Sequence, residues 1–136
     1  MRAIIPQLAM SGGTIMACAC KEILMGKQSS LGPIDPQING LPASGILSEF
    51  YNAGKEMSKD KSTINLWGPI ISGYPPSLIE TCKNAVSWSK ELAKDYLSGS
   101  MFKDELRSEP SPTRERIRHI IRFLTCLLYT SPSPRD

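Results

Sequence analysis

One serine in this chain stands where chemistry could be done. Ser11-Gly12-Gly13 joins an apolar segment, MRAIIPQLAM, to an Ala-rich run, TIMACACK. A Ser at a strand-to-helix turn, flanked by residues with little or no side chain, is how several hydrolase folds present a nucleophile. The small neighbours let the backbone turn sharply and let a substrate carbonyl approach. The amide after the Ser can donate to a developing oxyanion. The same tripeptide also serves as a plain turn, so the local pattern leaves both readings open.

The wider stretch is more specific. AMSGGTIMACACKEILMG followed by SSLGPIDPQ, over Ala9–Gln37, resembles the serine dehydrogenase proteinase family. These are Clp-like prokaryotic serine peptidases, more distantly related to the signal peptide peptidases. Gly12 stands where that family usually has Ala. The resemblance continues more loosely through Ala43–Ala53 and Pro75–Phe102, fading near Thr125. It implies an α/β fold of the Clp/crotonase type, here incomplete: a β-α-β nucleophile unit followed by mainly helical segments.

Acyl transfer by Ser needs a base, a group to orient it and an oxyanion hole. The resemblance implies Ser11 as nucleophile, the Gly12 amide as one oxyanion donor and Asp35 as the acid of a Ser-Asp-His triad. In Clp-like folds the second oxyanion donor comes from a glycine turn upstream of the nucleophile strand, which would precede Met1. Asp35, within GPIDPQ, can also be read as an Asp-Pro turn residue bonding its own backbone. His119 is the only histidine. It falls opposite the Ile117/Ile120/Ile121/Leu124 stripe of a terminal helix and reads as a solvated residue. The catalytic His is therefore expected beyond Thr125. A Ser/Lys dyad, as in the signal peptide peptidases, is the competing mechanism, with Lys59 or Lys61 as base. A Lys base must be buried to lose its proton near neutral pH, whereas Glu56 and Asp60 make this look like a solvated loop.

Composition bounds the alternatives. The chain has 136 residues, a net charge of +3, 40% hydrophobic and 21% charged residues. That fits a soluble globular protein with a modest core and is too weakly basic to argue for nucleic acid. Cys18 and Cys20 diverge by roughly 200° on a helix, so they read as packing residues rather than as joint metal ligands. No cofactor or metal is implied. The final segment, CLLYTSPSPRD, breaks off the helical pattern and looks like a translated sequencing adaptor. The expected organisation is therefore a partial peptidase domain over 1–125 and a non-native tail over 126–136. Pro6, Gln7 and the paired glycines argue against a signal peptide or a membrane span at the start. Family members often carry a membrane anchor there.

The elements that must position the serine can be read from pattern. Arg2–Ile5 reads as a short buried strand, Thr14–Lys21 as a buried helix and Glu22–Met25 as the next strand. Together they form a β-α-β unit with a right-handed crossover. Gly26–Pro42 reads as loop. Ala43–Met57 is an expected helix with Ile46, Phe50 and Ala53 on one face. Ser58–Ser62 reads as a charged connection and Ile64–Tyr74 as a mixed turn region. Ser77–Leu97 is an expected helix, stopped by Gly99, with Ile79, Cys82, Val86, Ala93 and Leu97 as its stripe. Trp88 lies off that stripe, a surface aromatic. EPSPT at Glu109–Thr113 reads as a linker before a helix over Arg114–Leu124.

The function expected from these residues is peptide-bond hydrolysis through an acyl-enzyme on Ser11. The substrate would be a peptide or protein, in a prokaryotic cytoplasm or at its membrane, and the protein a homo-oligomer as its relatives are. A fragment missing the upstream donor and the His would be inactive. A crotonase-type acyl-handling enzyme, or a non-catalytic fragment, is the alternative.

Overall fold

A computed structural model of the chain describes residues 1–126; the sequence beyond, and the Cys126 side chain, lie outside the described residues, and with them the expected foreign tail. The chain divides into two compact units, Met1–Asp35 with Trp88 onward, and Pro36–Ser87.

The first unit is built on parallel strand pairs. Strand β1 (Arg2–Ile5) pairs with β3 (Glu22–Met25), and β2 (Leu8–Ala9) with β4 (Ser30–Leu31). Helix α1 (Gly12–Cys18) lies between them in sequence. Both longer strands fall where the apolar runs predict. The helix starts two residues before the expected Thr14 and ends three before Lys21. The strands are less buried than expected: only Ile5 of β1 is in the core, and Ile4 is 72% exposed. A parallel strand buried on both faces needs layers on each side, and most residues of β1 and β3 are not buried.

The second half of α4 (Leu78–Gly99), with α5 (Glu105–Ser108) and α6 (Pro110–Cys126), completes the unit. Its core gathers Cys18, Ile34, Ala93, Leu97, Phe102, Ile117 and Leu124. The stripes expected on α4 and α6 supply most of these residues. The EPSPT segment is not a linker, because α6 already begins at Pro110. Proline fits the first turn of a helix, where its missing N–H has no partner to lose and its φ is preset. Thr113, fully buried, donates back to the Glu109 carbonyl at 2.7 Å.

In the second unit, β5 (Gln37–Ile38) and β6 (Leu41–Pro42) form a hairpin inside the stretch expected to be loop. Asn39 and Gly40 both have positive φ, 51° and 80°. Two such residues are what a two-residue type I′ hairpin turn demands, and Asn-Gly is its strongest sequence signal. Helix α2 (Ala43–Lys59) follows, with Ala43, Ile46 and Ala53 buried. A single 3₁₀ turn, Lys61–Thr63, is capped by Asp60, whose carboxylate accepts from the Ser62 amide at 2.9 Å. Helix α3 (Ile64–Ser72) then replaces the expected turn region and carries Pro69 inside it. Phe50 packs on Tyr74, ring centroids 5.3 Å apart, beside a core of Ala43, Ile46, Leu78 and Cys82. No helix among the described residues is long and apolar enough to cross a membrane.

Candidate active site

The turn between β2 and α1 puts Ser11 in an unusual backbone state. Its φ is 49° and its ψ −111°, at the N-cap of α1. L-residues seldom occupy positive φ outside the left-handed helical region, and such strain costs roughly 1–3 kcal/mol. The turn is held from both sides. The Ser11 amide donates to the Pro33 carbonyl at 3.0 Å, and Gly13 donates to Met10 at 2.9 Å. Ser11 itself is half-buried.

Thr14, one turn into the helix, is the anchor that sequence reasoning overlooked. It has no exposed surface. Its hydroxyl lies 2.8 Å from the Gly32 carbonyl and 3.2 Å from that of Ala9. A hydroxyl has one proton to donate, and the shorter contact ties α1 to the loop after β4. The only available signal was a polar residue at an otherwise apolar position of the helix.

The SSLGPID stretch reads in the structure as a series of backbone attachments. The Ser29 hydroxyl donates toward the Ile5 carbonyl at 2.6 Å and accepts from the Gly26 amide at 2.9 Å, joining the ends of β1 and β3. Gly32 runs so close to the nucleophile turn that a Cβ there would sit 2.8 Å from Met10 Cγ. Ile34 enters the core, and its amide donates to the Leu124 carbonyl at 2.9 Å. The loop is thereby fastened to α6 as well.

This loop brings Asp35 to Ser11, but through the main chain. The Ser11 hydroxyl points to the Asp35 backbone carbonyl at a long 3.4 Å. Among the described residues, no imidazole or amine is hydrogen-bonded to that hydroxyl. His119 is exposed on α6. Lys59 ends α2 and Lys61 opens the 3₁₀ turn, both exposed and both in the second unit. Gly12 is the first residue of α1, so its amide has no acceptor within the helix. It is exposed, and a Cβ built on it meets nothing within 4 Å.

The cysteines near the site are packing residues. Cys18 and Cys20 are buried free thiols. Burial pushes the Cys18 thiol up to about 11, far from the range of a reactive thiolate. The Ser100 hydroxyl lies 2.6 Å from the Tyr96 carbonyl, its nearest acceptor, and 3.0 Å from the Cys18 carbonyl at the end of α1.

Two proteins of the archaeon Methanocaldococcus jannaschii are similar. The uncharacterized protein MJ1495 is 36% identical over 104 residues, 74% of this chain and 36% of that protein. The uncharacterized protein MJ0137 is 40% identical over 63 residues, 46% of this chain and 22% of that protein. The chain thus spans about a third or less of the length of these relatives. No solved structure matches. The profile of one family, described as ClpP-like SDH-type (serine dehydrogenase-type) serine proteinase, matches residues 1–104, running through the Ser11 turn, the Ser29–Asp35 loop and α4. The chain belongs to that ClpP-like family of serine proteinases.

Proposed function

We propose that this chain carries the nucleophile of a serine peptidase of Clp/crotonase-type fold, with Ser11 attacking the scissile carbonyl. The observation that carries the reading is the backbone of Ser11, at φ 49° and ψ −111° on a strand-to-helix turn. Strain of this kind persists where the surroundings enforce it, and it clusters at catalytic positions. In the proposed step, Ser11 Oγ gives its proton to a base and bonds to the carbonyl carbon. The amine leaves with a proton returned by that base, and water then releases the acyl group from Ser11. The Gly12 amide, free of an intrahelical acceptor, faces the developing oxyanion at the positive end of α1.

Asp35 is assigned to orient the base. The base itself is assigned to a histidine beyond Thr125, since His119 lies exposed on α6. The β-α-β unit around Ser11 and the family match support this reading.

Fluorophosphonate labelling tests it. The expected result is slow labelling at Ser11, mapped by mass spectrometry, abolished in Ser11→Ala and accelerated by added imidazole. Labelling that survives Ser11→Ala, or none at Ser11 with imidazole present, sinks the proposal.

A further inference from the structure

Helices α4, α5 and α6 line a half-open cavity of about 570 Å³. Its volume falls in the range of small-molecule sites. The floor is apolar: Leu106, Ile117 and Ile121. The rim is cationic. Lys90 and Lys94 lie one turn apart on α4, and Arg114 and Arg118 one turn apart on α6. Glu91 is the one acidic lining residue, and Ser98 adds a hydroxyl.

Two features of this rim call for an anion. Like charges at i and i+4 on a helix repel and destabilise it, and here two such pairs face one cavity. None of the four cations has an ion-pair partner among the described residues, where the pairs are Arg2–Glu22 and Arg116–Glu105. A bound anionic head would offset part of this charge. The floor selects further. An inorganic anion gains nothing from Leu106, Ile117 and Ile121, whereas an alkyl chain removes that surface, and its own, from water. A helical peptide would instead need an elongated groove with anchors over several turns.

We propose that this cavity binds a single-chain anionic amphiphile of the long-chain carboxylate class. The tail lies over Leu106, Ile117 and Ile121, and the head sits among Lys90, Lys94, Arg114 and Arg118. The site shares no residue with the Ser11 loop and does not rest on the peptidase reading.

Calorimetric titration of the full chain with laurate, below its micelle concentration, tests the proposal. Laurate is expected to bind, and dodecyltrimethylammonium, with the same tail, to bind at least roughly tenfold more weakly. Lys94→Glu combined with Arg118→Glu should weaken laurate binding by a similar factor without altering the circular dichroism, since both side chains are exposed. Leu106→Trp, which fills the floor, should weaken both amphiphiles; if that variant unfolds, the exposed rim pair alone decides. The proposal is overturned if laurate does not bind, if the cationic amphiphile binds as well, or if the rim variant binds laurate unchanged. Binding of an acidic amphipathic peptide that laurate fails to displace would overturn it in favour of a protein partner.

Discussion

The Thr14 hydroxyl donates to the Gly32 carbonyl across 2.8 Å, joining the helix behind Ser11 to the loop that carries Asp35. Thr14 has no exposed surface, so water does not readily replace this bond on its side. Thr14→Val keeps the shape and leaves that carbonyl without its donor. An unpaired buried acceptor costs about 1–3 kcal/mol, so the urea midpoint should fall accordingly. Thr14→Ser should recover most of it. Equal midpoints for Val and Thr would show that the contact contributes nothing.

Ser11 offers a test that separates strain from chemistry. Glycine tolerates positive φ and alanine does not. Ser11→Gly should therefore be more stable than Ser11→Ala by roughly 1 kcal/mol, while both lose fluorophosphonate labelling. If the alanine variant is the more stable of the two in urea, the turn is not strained as described.

The glycines at 12 and 32 should behave oppositely. Gly12 has open space around it and no positive φ. Gly12→Ala should fold normally and gain up to about 1 kcal/mol from reduced freedom of the unfolded chain. Gly32→Ala would force Met10 aside, the clash being 2.8 Å from Cγ. It should destabilise by roughly 1–3 kcal/mol, partly relieved by Met10→Ala. Thermal melts of the three variants decide the ranking.

Cys18 supplies a prediction in pH. Its thiol is held protonated by burial, with its pKa raised from 9.0 to about 11. Above pH 9 the unfolded state loses this proton while the folded state keeps it. The folded state then binds more protons than the unfolded, so stability falls as pH rises. The Cys18 contribution is present in full below about 9 and is lost as pH climbs through about 11. Cys18→Ala should flatten that part of the stability–pH curve. A neutral-pH thiol reagent should modify Cys18 only at the rate of unfolding; rapid modification in the folded protein would contradict its burial.

Much of this was legible in the residues. The apolar runs of β1 and β3 and the stripes on α2, α4 and α6 carried their periods plainly. What resisted reading has physical causes. Pro110 and Pro112 look like a linker but sit where a helix loses least by having proline. Pro69 and Gly68 disguised α3, whose register is carried by Ile64, Leu66, Trp67, Ile70 and Ile71. Asn39-Gly40 announced a hairpin, but β5 and β6 are only two residues each, too short for alternation to show. At the site, the family resemblance implied Ser11, Gly12 and Asp35, whereas the supports, Thr14 and Ser29, act through backbone carbonyls that no spacing rule encodes.

Ser11 hangs from the Pro33 carbonyl by its amide and reaches the Asp35 carbonyl with its hydroxyl. One short segment thus sets the place of the serine and of the Asp35 backbone together. Damage to α1 that displaces Ser11 is therefore most readily repaired by second changes among residues 29–36. A search for intragenic suppressors should find them clustered in that loop rather than along the helix that bears the serine.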